Sequence, residues 1–136
     1  MDTTDLRIID HLKSHGRATI KEISSMVNLT SPAVTERIKR LEENGVIKGY
    51  QAEIDYAKLG KNIQAFVEVD VEPKKYENFC TFCKNNPQIL SHFHIIGPHN
   101  AMLHVAVTGS EELSRLLSEI QFYGMSQTSV ILNRIY

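Results

Sequence analysis

The first fifty residues carry apolar side chains at the three- and four-residue spacing of helices. This spacing predicts three helices, the first over about residues 5–14. Their apolar positions are Leu6, Ile9 and Leu12, then Ile20, Ile23 and Val27, then Val34, Ile38 and Leu41. Each predicted helix therefore has one apolar face.

Polar residues mark where the second and third helices begin and end. Thr19 and Glu22 have the spacing of a capping box, which satisfies free backbone N–H groups at a helix start. Ser31 followed by Pro32 is typical of a helix start, and the Asn-Gly pair at 44–45 is typical of a helix end. Two short helices joined by a tight turn, after a supporting helix, indicate a helix-turn-helix.

The second half of the chain alternates between strand-like and helix-like stretches. Strands are predicted at residues 63–71, 89–96, 101–107 and 128–135, and helices from Pro73 to about Lys84 and between Ser110 and Gly124. The order β-α-β-β-α-β is that of the ferredoxin-like unit, in which two helices cover one face of an antiparallel sheet.

The uncovered face of this predicted sheet is expected to be largely apolar. Its alternate positions include Phe66, Phe93, Met102 and Ala106. A unit of this size has little core of its own, and an exposed apolar face is an association surface. We therefore expect a dimer that forms through this unit.

These patterns divide the chain into three parts. A helix-turn-helix DNA-binding domain is expected over residues 1–50. A strand with alternating apolar positions, which suggests a wing, begins near residue 46, and the strand and hinge linker covers residues 51–61 with Gly60 as the flexible point. The β-α-β-β-α-β domain covers residues 62–136. The fold class is α+β, a winged helix-turn-helix followed by a ferredoxin-like sandwich.

Composition narrows the class of protein. The chain has 136 residues, 42% hydrophobic and 23% charged, which is typical of soluble globular proteins and not of disordered chains. No apolar run is long enough to span a membrane, and the first residues lack a secretory leader. Two cysteines cannot build a disulfide framework, so a cytoplasmic protein is expected.

The formal net charge of -1 means that any DNA contact depends on local placement of charge. The candidate DNA-binding residues lie on the third helix: Ser31, Pro32, Thr35, Glu36, Arg37, Lys39 and Arg40. Small residues in its first half let it approach base edges, and the three basic residues reach phosphates or a guanine edge. The alternative is a solvated helix face with ordinary i,i+4 ion pairs.

Cysteines and histidines raise the question of a metal. Cys80 and Cys83 form a C-x-x-C pair, but the pair falls in mid-helix and has no matching second pair, which favours simple packing. His92 and His94 lie on the second predicted strand, and His104 could face one of them across the hairpin. Polar positions on an association surface are the favoured interpretation. No catalytic residue, metal or cofactor is predicted.

Three segments of the first fifty residues are distinctive when they are taken together with the order of elements that follows them. They are DLRIIDHL at 5–12, LTSPAVTERIKRLE at 29–42 and GVIKGY at 45–50. With the β-α-β-β-α-β tail, this set resembles the Lrp/AsnC, or feast/famine, family of bacterial and archaeal transcription regulators over essentially the whole chain. The resemblance implies a RAM-type effector and oligomerisation domain, dimers built through its sheets, octamers as tetramers of dimers, and double-stranded DNA as partner.

The resemblance also implies that a free amino acid or another small effector binds between dimers. The family's effector loop commonly reads Gly-x-x-Asp and then an aromatic or apolar residue. Here Asn100 replaces the acid and Ala101 the larger residue, so a contact to an ammonium group is expected to be weaker. The candidate effector residues are Gly97, Pro98, His99, Asn100, Ala101, Ser126 and Thr128. Ser126 and Thr128 are equally compatible with an ordinary edge strand.

The sequence therefore predicts a sequence-selective DNA-binding transcriptional regulator and not an enzyme. The first alternative is an architectural protein that compacts DNA with little effector response. The second is an enzyme similar to the sirohaem decarboxylase subunits, which resemble the same two-domain layout and would use the histidines near the sheet.

Overall fold

The computed structural model describes all 136 residues. They form two compact units, Met1–Glu53 and Ile54–Tyr136. The first unit holds the helices α1 (Thr3–Ser14), α2 (Ile20–Val27) and α3 (Ser31–Glu43). The second holds β1 (Ile63–Val71), α4 (Tyr76–Lys84), β2 (Ile89–His94), β3 (Ala101–Val107), α5 (Ser110–Gln121) and β4 (Gly124–Val130). The predicted α+β fold class is confirmed.

Helix α1 begins earlier than the apolar pattern predicts, because Asp2 caps it together with Asp5 of its first turn. The carboxylate of Asp2 accepts a hydrogen bond from the backbone N–H of Asp5 at 2.9 Å. The carboxylate of Asp5 accepts one from the N–H of Asp2 at 3.1 Å. This reciprocal capping box satisfies two N–H groups that the helix itself cannot pair, and it also suits the positive end of the helix dipole.

The three helices of the first unit pack around a shared core. Ile8 of α1, Ile23 of α2 and Val34 of α3 are at most 1% exposed. The turn between α2 and α3 depends on Asn28, which takes the left-handed conformation at φ 57. Asparagine tolerates this conformation better than most residues, so α2 can end there and α3 can begin at Ser31. The predicted helix-turn-helix is therefore present.

The strand predicted from residue 46 through the start of the linker is absent. Residues 46–55 form no strand, and no ladder pairs them with another segment. The alternation of Tyr50, Ala52 and Ile54 gave the prediction, but a strand also needs a partner for its backbone N–H and C=O groups. The linker then makes a short 3-10 turn, Tyr56–Leu59, which Gly60 ends at φ 83.

The second unit is a four-stranded antiparallel sheet in the order β2-β3-β1-β4. One face of β1 presents Ala65, Val67, Val69 and Val71 to α4 and α5, and these four side chains are at most 2% exposed. Leu103 and Val105 of the neighbouring strand β3 lie on the same face. The helices contribute Phe79 of α4 and Leu116 and Ile120 of α5, and all five of these residues are fully buried in the same core. The two helices therefore cover one face of the sheet, as predicted.

The other sheet face is not covered by a helix of this unit. Phe66 is 44% exposed, Phe93 is 57% exposed and Met102 is half-buried. The strand registers place all three on this face with the buried Ala106. We call this surface, defined by Phe66, Phe93, Met102 and Ala106, the open sheet face. Polar residues, among them Glu68 and His104, share it.

The last strand lies earlier in the chain than predicted. The prediction of 128–135 followed the apolar residues near the end of the chain, but β4 covers Gly124–Val130. Its register runs from Gly124 opposite Val71 to Val130 opposite Ala65. Beyond that point β1 has little length left with which a longer β4 could pair. Gly124 is needed at the start of this pairing, since an added Cβ would lie 1.9 Å from the carbonyl oxygen of Asp70.

None of the helices has the length and apolar composition that crossing a lipid bilayer requires.

Candidate nucleic-acid interface and ligand-binding loop

Helix α3 presents one continuous exposed face. Its opposite side is held in the core by Val34, Ile38 and Leu41, which are at most 9% exposed. With about 100° between successive residues, this orientation fixes which side chains point outward. Six of the seven candidate DNA-binding residues are exposed: Ser31, Pro32, Thr35, Glu36, Lys39 and Arg40.

The start of α3 is capped by Thr30 rather than by Ser31. The Thr30 hydroxyl accepts a hydrogen bond from the N–H of Ala33 at 3.3 Å, and the N–H of Val34 bonds to the carbonyl of Thr30 at 3.0 Å. Pro32 has no N–H to offer. Of the first four positions, Ser31 alone therefore has a free N–H, and its hydroxyl is exposed beside it.

Arg37, the seventh candidate, is engaged within the chain. Its guanidinium lies 2.7 Å from a carboxylate oxygen of Asp2 and 3.0 Å from one of Asp5. The side chain is only 22% exposed. Both of these acids cap α1, so Arg37 ties the start of α1 to the middle of α3. Its guanidinium is therefore not a free cation of the exposed face.

The ion pair changes the acidity of Asp2. The hydrogen bond from Arg37 is the largest cause, followed by the backbone N–H of Asp5, and together they lower the pKa of Asp2 to about 2. The same bonds raise the pKa of Arg37. No local sequence pattern marks this contact, because Arg37 lies more than thirty residues from both acids.

The remaining basic residues of α3 are available to a partner. Lys39 is 3.9 Å from Glu43, and both side chains are more than half exposed, so this ion pair is weak. Arg40 has no ion pair, and the i,i+4 pair between Glu36 and Arg40 that an ordinary solvated helix face could carry does not form. The outward face therefore offers one free guanidinium and one loosely held ammonium group.

The candidate effector loop, residues 97–101, is tied to the sheet by Asn100. The Asn100 amide oxygen accepts a hydrogen bond from the N–H of Val71 at 2.8 Å. Its amide nitrogen donates to the carbonyl of Val71 at 3.0 Å. The side chain therefore occupies the place of one more backbone partner at the end of β1. In this conformation both the oxygen and the nitrogen of the Asn100 amide are already bonded to Val71.

Tyr76 of α4 holds the same loop from the other side. Its hydroxyl donates to the carbonyl of Asn100 at 3.2 Å and lies 3.2 Å from Nε2 of His92. Since a hydroxyl has one hydrogen, Nε2 of His92 must be the donor in the second bond. Burial is the main cause that raises the pKa of Tyr76. Tyr76 was not among the predicted site residues, and no motif marks it.

His99 is the loop residue with unused hydrogen-bonding capacity. Its Nε2 lies 3.8 Å from a carboxylate oxygen of Glu68 on the open sheet face. Its Nδ1 is buried and has no hydrogen-bond partner. Gly97 and Pro98 precede it and are exposed, whereas Ala101 is fully buried at the start of β3.

Ser126 and Thr128 are not brought to the loop within one chain. Both are exposed on β4, where they pair with Val69 and Val67 of β1. Ala101 pairs with Val69 from the opposite side, so β1 separates the loop from Ser126. Ser126 instead borders an open groove of about 470 Å³ between α5 and β4.

The three histidines near the sheet do not converge. His92 and His94 pair with Leu103 and Ala101 and lie on the helix side, where both rings pack near Tyr76. His104 pairs with Ser91, points to the open sheet face and bonds to Gln64 at 2.9 Å. The expectation that His104 could face His92 or His94 is therefore wrong. No group of three or more His, Cys, Asp or Glu is arranged to hold a metal ion.

The two cysteines differ in environment. Cys80 is exposed, whereas Cys83 is 3% exposed within the sheet core. Burial, with a smaller effect of Cys80, raises the pKa of Cys83 to about 12. A thiol with so high a pKa stays protonated, and a thiolate is the form that binds metals or attacks disulfides. Cys83 therefore acts as a small core residue.

Comparison with known proteins assigns a class to each unit. Residues 1–48 match the family model for winged helix-turn-helix DNA-binding domains, and residues 64–136 match the Lrp/AsnC ligand binding domain. A DNA-binding domain joined to a ligand-binding domain defines a ligand-responsive DNA-binding regulator.

Individual relatives agree with this class over the full chain. The transcriptional regulator YezC of Bacillus subtilis is 35% identical, covering 98% of this chain and 94% of the relative. The solved structure of LrpC from Bacillus subtilis has a TM-score of 0.94 at 32% identity and covers 100% and 97% of the two chains. That of the regulator NMB0573 of Neisseria meningitidis, in complex with L-methionine, has a TM-score of 0.92 at 26% identity and covers 100% and 92%. The chain belongs to the Lrp/AsnC family of transcriptional regulators.

Proposed function

We propose that α3 reads the major groove of double-stranded DNA, and that the second unit dimerises and binds a small effector. The observation that carries this proposal is the outward face of α3. It combines a small N-terminal turn at Pro32 and Ala33 with unpaired Arg40 and loosely held Lys39. An α-helix fits the major groove, where small residues permit close approach and basic side chains reach phosphates or a guanine edge.

The DNA-contacting residues that we propose are fewer than the sequence suggested. Lys39 and Arg40 supply phosphate or guanine contacts, and the N–H and hydroxyl of Ser31 are placed to meet a phosphate. Pro32, Thr35 and Glu36 face the bases. Arg37 serves as a positioning residue through Asp2 and Asp5. In this arrangement residues 1–50 act as the DNA-binding domain and residues 51–61 as the linker.

Dimer formation through residues 62–136 rests on the open sheet face. On this face Phe93 is 57% and Phe66 is 44% exposed, and a second copy that covers these apolar side chains would stabilise the protein. A dimer also presents two copies of α3 to successive major grooves. We further propose an octamer built as a tetramer of dimers, and a cytoplasmic location, where bacterial and archaeal DNA lies.

The effector is proposed to be a free amino acid or a similar small molecule. The structure of NMB0573 with L-methionine supports this class of ligand for the family domain. In this chain Gly97, Pro98 and His99 are the loop residues left for contact, with Ser126 and Thr128 contributed from β4 of another copy. Asn100 and Ala101 set the shape of the loop rather than hold the ligand.

An architectural DNA-compacting role is the second candidate. The observation that favours it is that position 100 has no carboxylate and that both polar atoms of the Asn100 side chain are bonded to Val71. Under this candidate, the protein binds DNA with weak sequence preference and does not respond to amino acids.

One binding experiment separates these candidates. Fluorescence anisotropy measures binding of the full chain to a DNA fragment from upstream of its own gene and to a scrambled fragment, each over a salt series. Preference for the native fragment, altered by an added amino acid such as L-methionine, supports the regulator. Equal binding to both fragments, unchanged by amino acids, supports the architectural role. Absence of binding at low salt contradicts both.

The dimer has its own test. Phe66→Asp places a charge in the centre of the open sheet face and is expected to give monomers in sedimentation velocity. Leu59→Asp is the matched control, because Leu59 is 67% exposed but lies outside the sheet. A wild-type protein that is already monomeric at micromolar concentration would contradict the proposed dimer.

A further inference from the structure

Glu36 is the one carboxylate of the first unit that has no partner within the chain. Each of the other acids up to residue 53 takes part in an interaction. These are Asp2 and Asp5 with Arg37, Asp10 with Lys13, Glu22 with Thr19, Glu42 with Tyr50, Glu43 with Lys39, and Glu53. Arg40, one turn further along α3, is at a spacing that permits an ion pair, yet none forms.

Glu36 lies on the outward side of α3, away from the core of the first unit. The core side of α3 is set by Val34, Ile38 and Leu41, and Glu36 projects from near the middle of the opposite side. Pro32 lies one turn before it and Arg40 one turn after it. If α3 lies in the major groove, Glu36 points at base edges and not along the backbone.

A carboxylate at that position disfavours bases that offer it no hydrogen-bond donor. It only accepts hydrogen bonds, and near phosphates it is repelled unless a base donates to it. Guanine and thymine present only acceptors in the major groove, apart from the thymine methyl group. Adenine presents an amino donor, but beside it the N7 acceptor faces the carboxylate. Cytosine presents its N4 amino group without such an acceptor.

We propose that Glu36 determines base specificity by accepting a hydrogen bond from the N4 amino group of a cytosine. This inference rests on the proposed function, since it requires α3 to be the reading helix. It adds a role for the acidic residue of a face whose DNA affinity comes from Lys39 and Arg40.

The test is selection of binding sites from a random double-stranded DNA pool by the full chain. Wild type is expected to select a motif with cytosine at one position of each half-site. Glu36→Ala loses the preference at that position alone. Glu36→Gln changes it to adenine, because an amide can donate to N7 while it accepts from N6. Alanine and glutamine both favour helices, and circular dichroism verifies that α3 is retained.

Glu43→Gln is the matched control, an acid on the same helix that is already paired with Lys39. Its motif is expected to equal that of wild type. In the selected site, changing the cytosine to thymine should weaken wild-type binding roughly tenfold or more and leave Glu36→Ala unaffected. The proposal is overturned if Glu36→Ala selects the wild-type motif, or if it binds all sequences more tightly by one common factor. A wild-type protein that selects no motif at all removes the proposed sequence-selective function as well.

Discussion

The side chain of Asn100 bonds to both backbone groups of Val71, at 2.8 Å and 3.0 Å. The sequence suggested that Asn100 was a weakened substitute for a ligand-binding acid. In the structure it closes the end of β1 and holds the preceding loop against the sheet. A residue at a ligand-binding position of the family can therefore stabilise the fold of this chain.

This relationship predicts how the loop responds to substitution. Asn100→Asp keeps the size of the side chain but replaces the donating nitrogen with a carboxylate oxygen, which faces the carbonyl of Val71. We expect a loss of about 1–3 kcal/mol in the free energy of unfolding, measured with urea, because a partly buried hydrogen bond is replaced by a repulsive contact between two oxygens. Asn78→Ala, an exposed substitution on α4, serves as control. If Asn100→Asp is as stable as wild type, the two bonds do not hold the loop.

The ion pair of Arg37 with Asp2 predicts a pH-dependent contribution to stability. Asp2→Asn removes the charge but keeps a good helix-capping side chain, so it isolates the ion pair. The pKa of Asp2 is lowered from 3.8 to about 2, so the contribution is fully present above pH 4 and is lost as the pH falls through 2. Thermal unfolding should show the wild type as more stable than Asp2→Asn at pH 7.

The difference between these two unfolding temperatures should shrink as the pH is lowered toward 2. Arg37→Ala should be destabilised at pH 7 as well, and the double variant should lose little more than Arg37→Ala alone. Faster hydrogen exchange in α1 of both single variants would locate the effect. An equal difference between the two unfolding temperatures at pH 7 and at pH 2 would contradict a contribution from the charge of Asp2.

The cysteines predict selective chemistry. Cys80 is exposed, whereas burial raises the pKa of Cys83 to about 12. A thiol reagent such as dithionitrobenzoate at pH 8 should modify one thiol of the folded chain rapidly and both thiols in denaturant. Cys80→Ser should abolish the rapid phase, and Cys83→Ser should leave it intact. Rapid modification of two thiols in the folded wild type would contradict the burial of Cys83.

The sequence predicted well those features that depend on local periodicity. Helical spacing located α1 to α3, and the strand predicted at residues 63–71 matches β1. Boundaries were less accurate, since Asp2 and Thr30 rather than the expected residues start α1 and α3. Several neighbouring polar side chains could accept a hydrogen bond from the free N–H groups at a helix start. The apolar periodicity of the helix does not show which of them does so.

Features that depend on distant residues could not be predicted. Alternation near Tyr50 predicted a strand, but no partner strand pairs with it. The contacts of Arg37 with Asp2 and of Asn100 with Val71 join residues about thirty positions apart, and nothing in either local pattern marks them. At both candidate sites the sequence could not show which side chains were already engaged within the chain.

The central claim, that α3 is the DNA-reading helix, is tested most directly by the salt dependence of binding. Anisotropy should be measured with wild type, Arg40→Ala and Arg115→Ala on the upstream DNA fragment. Arg115 is the control, an exposed arginine of α5. We predict that Arg40→Ala binds more weakly and reduces the slope of log affinity against log salt by about one, while Arg115→Ala equals wild type. Unchanged affinity and slope for Arg40→Ala would contradict the assignment of α3.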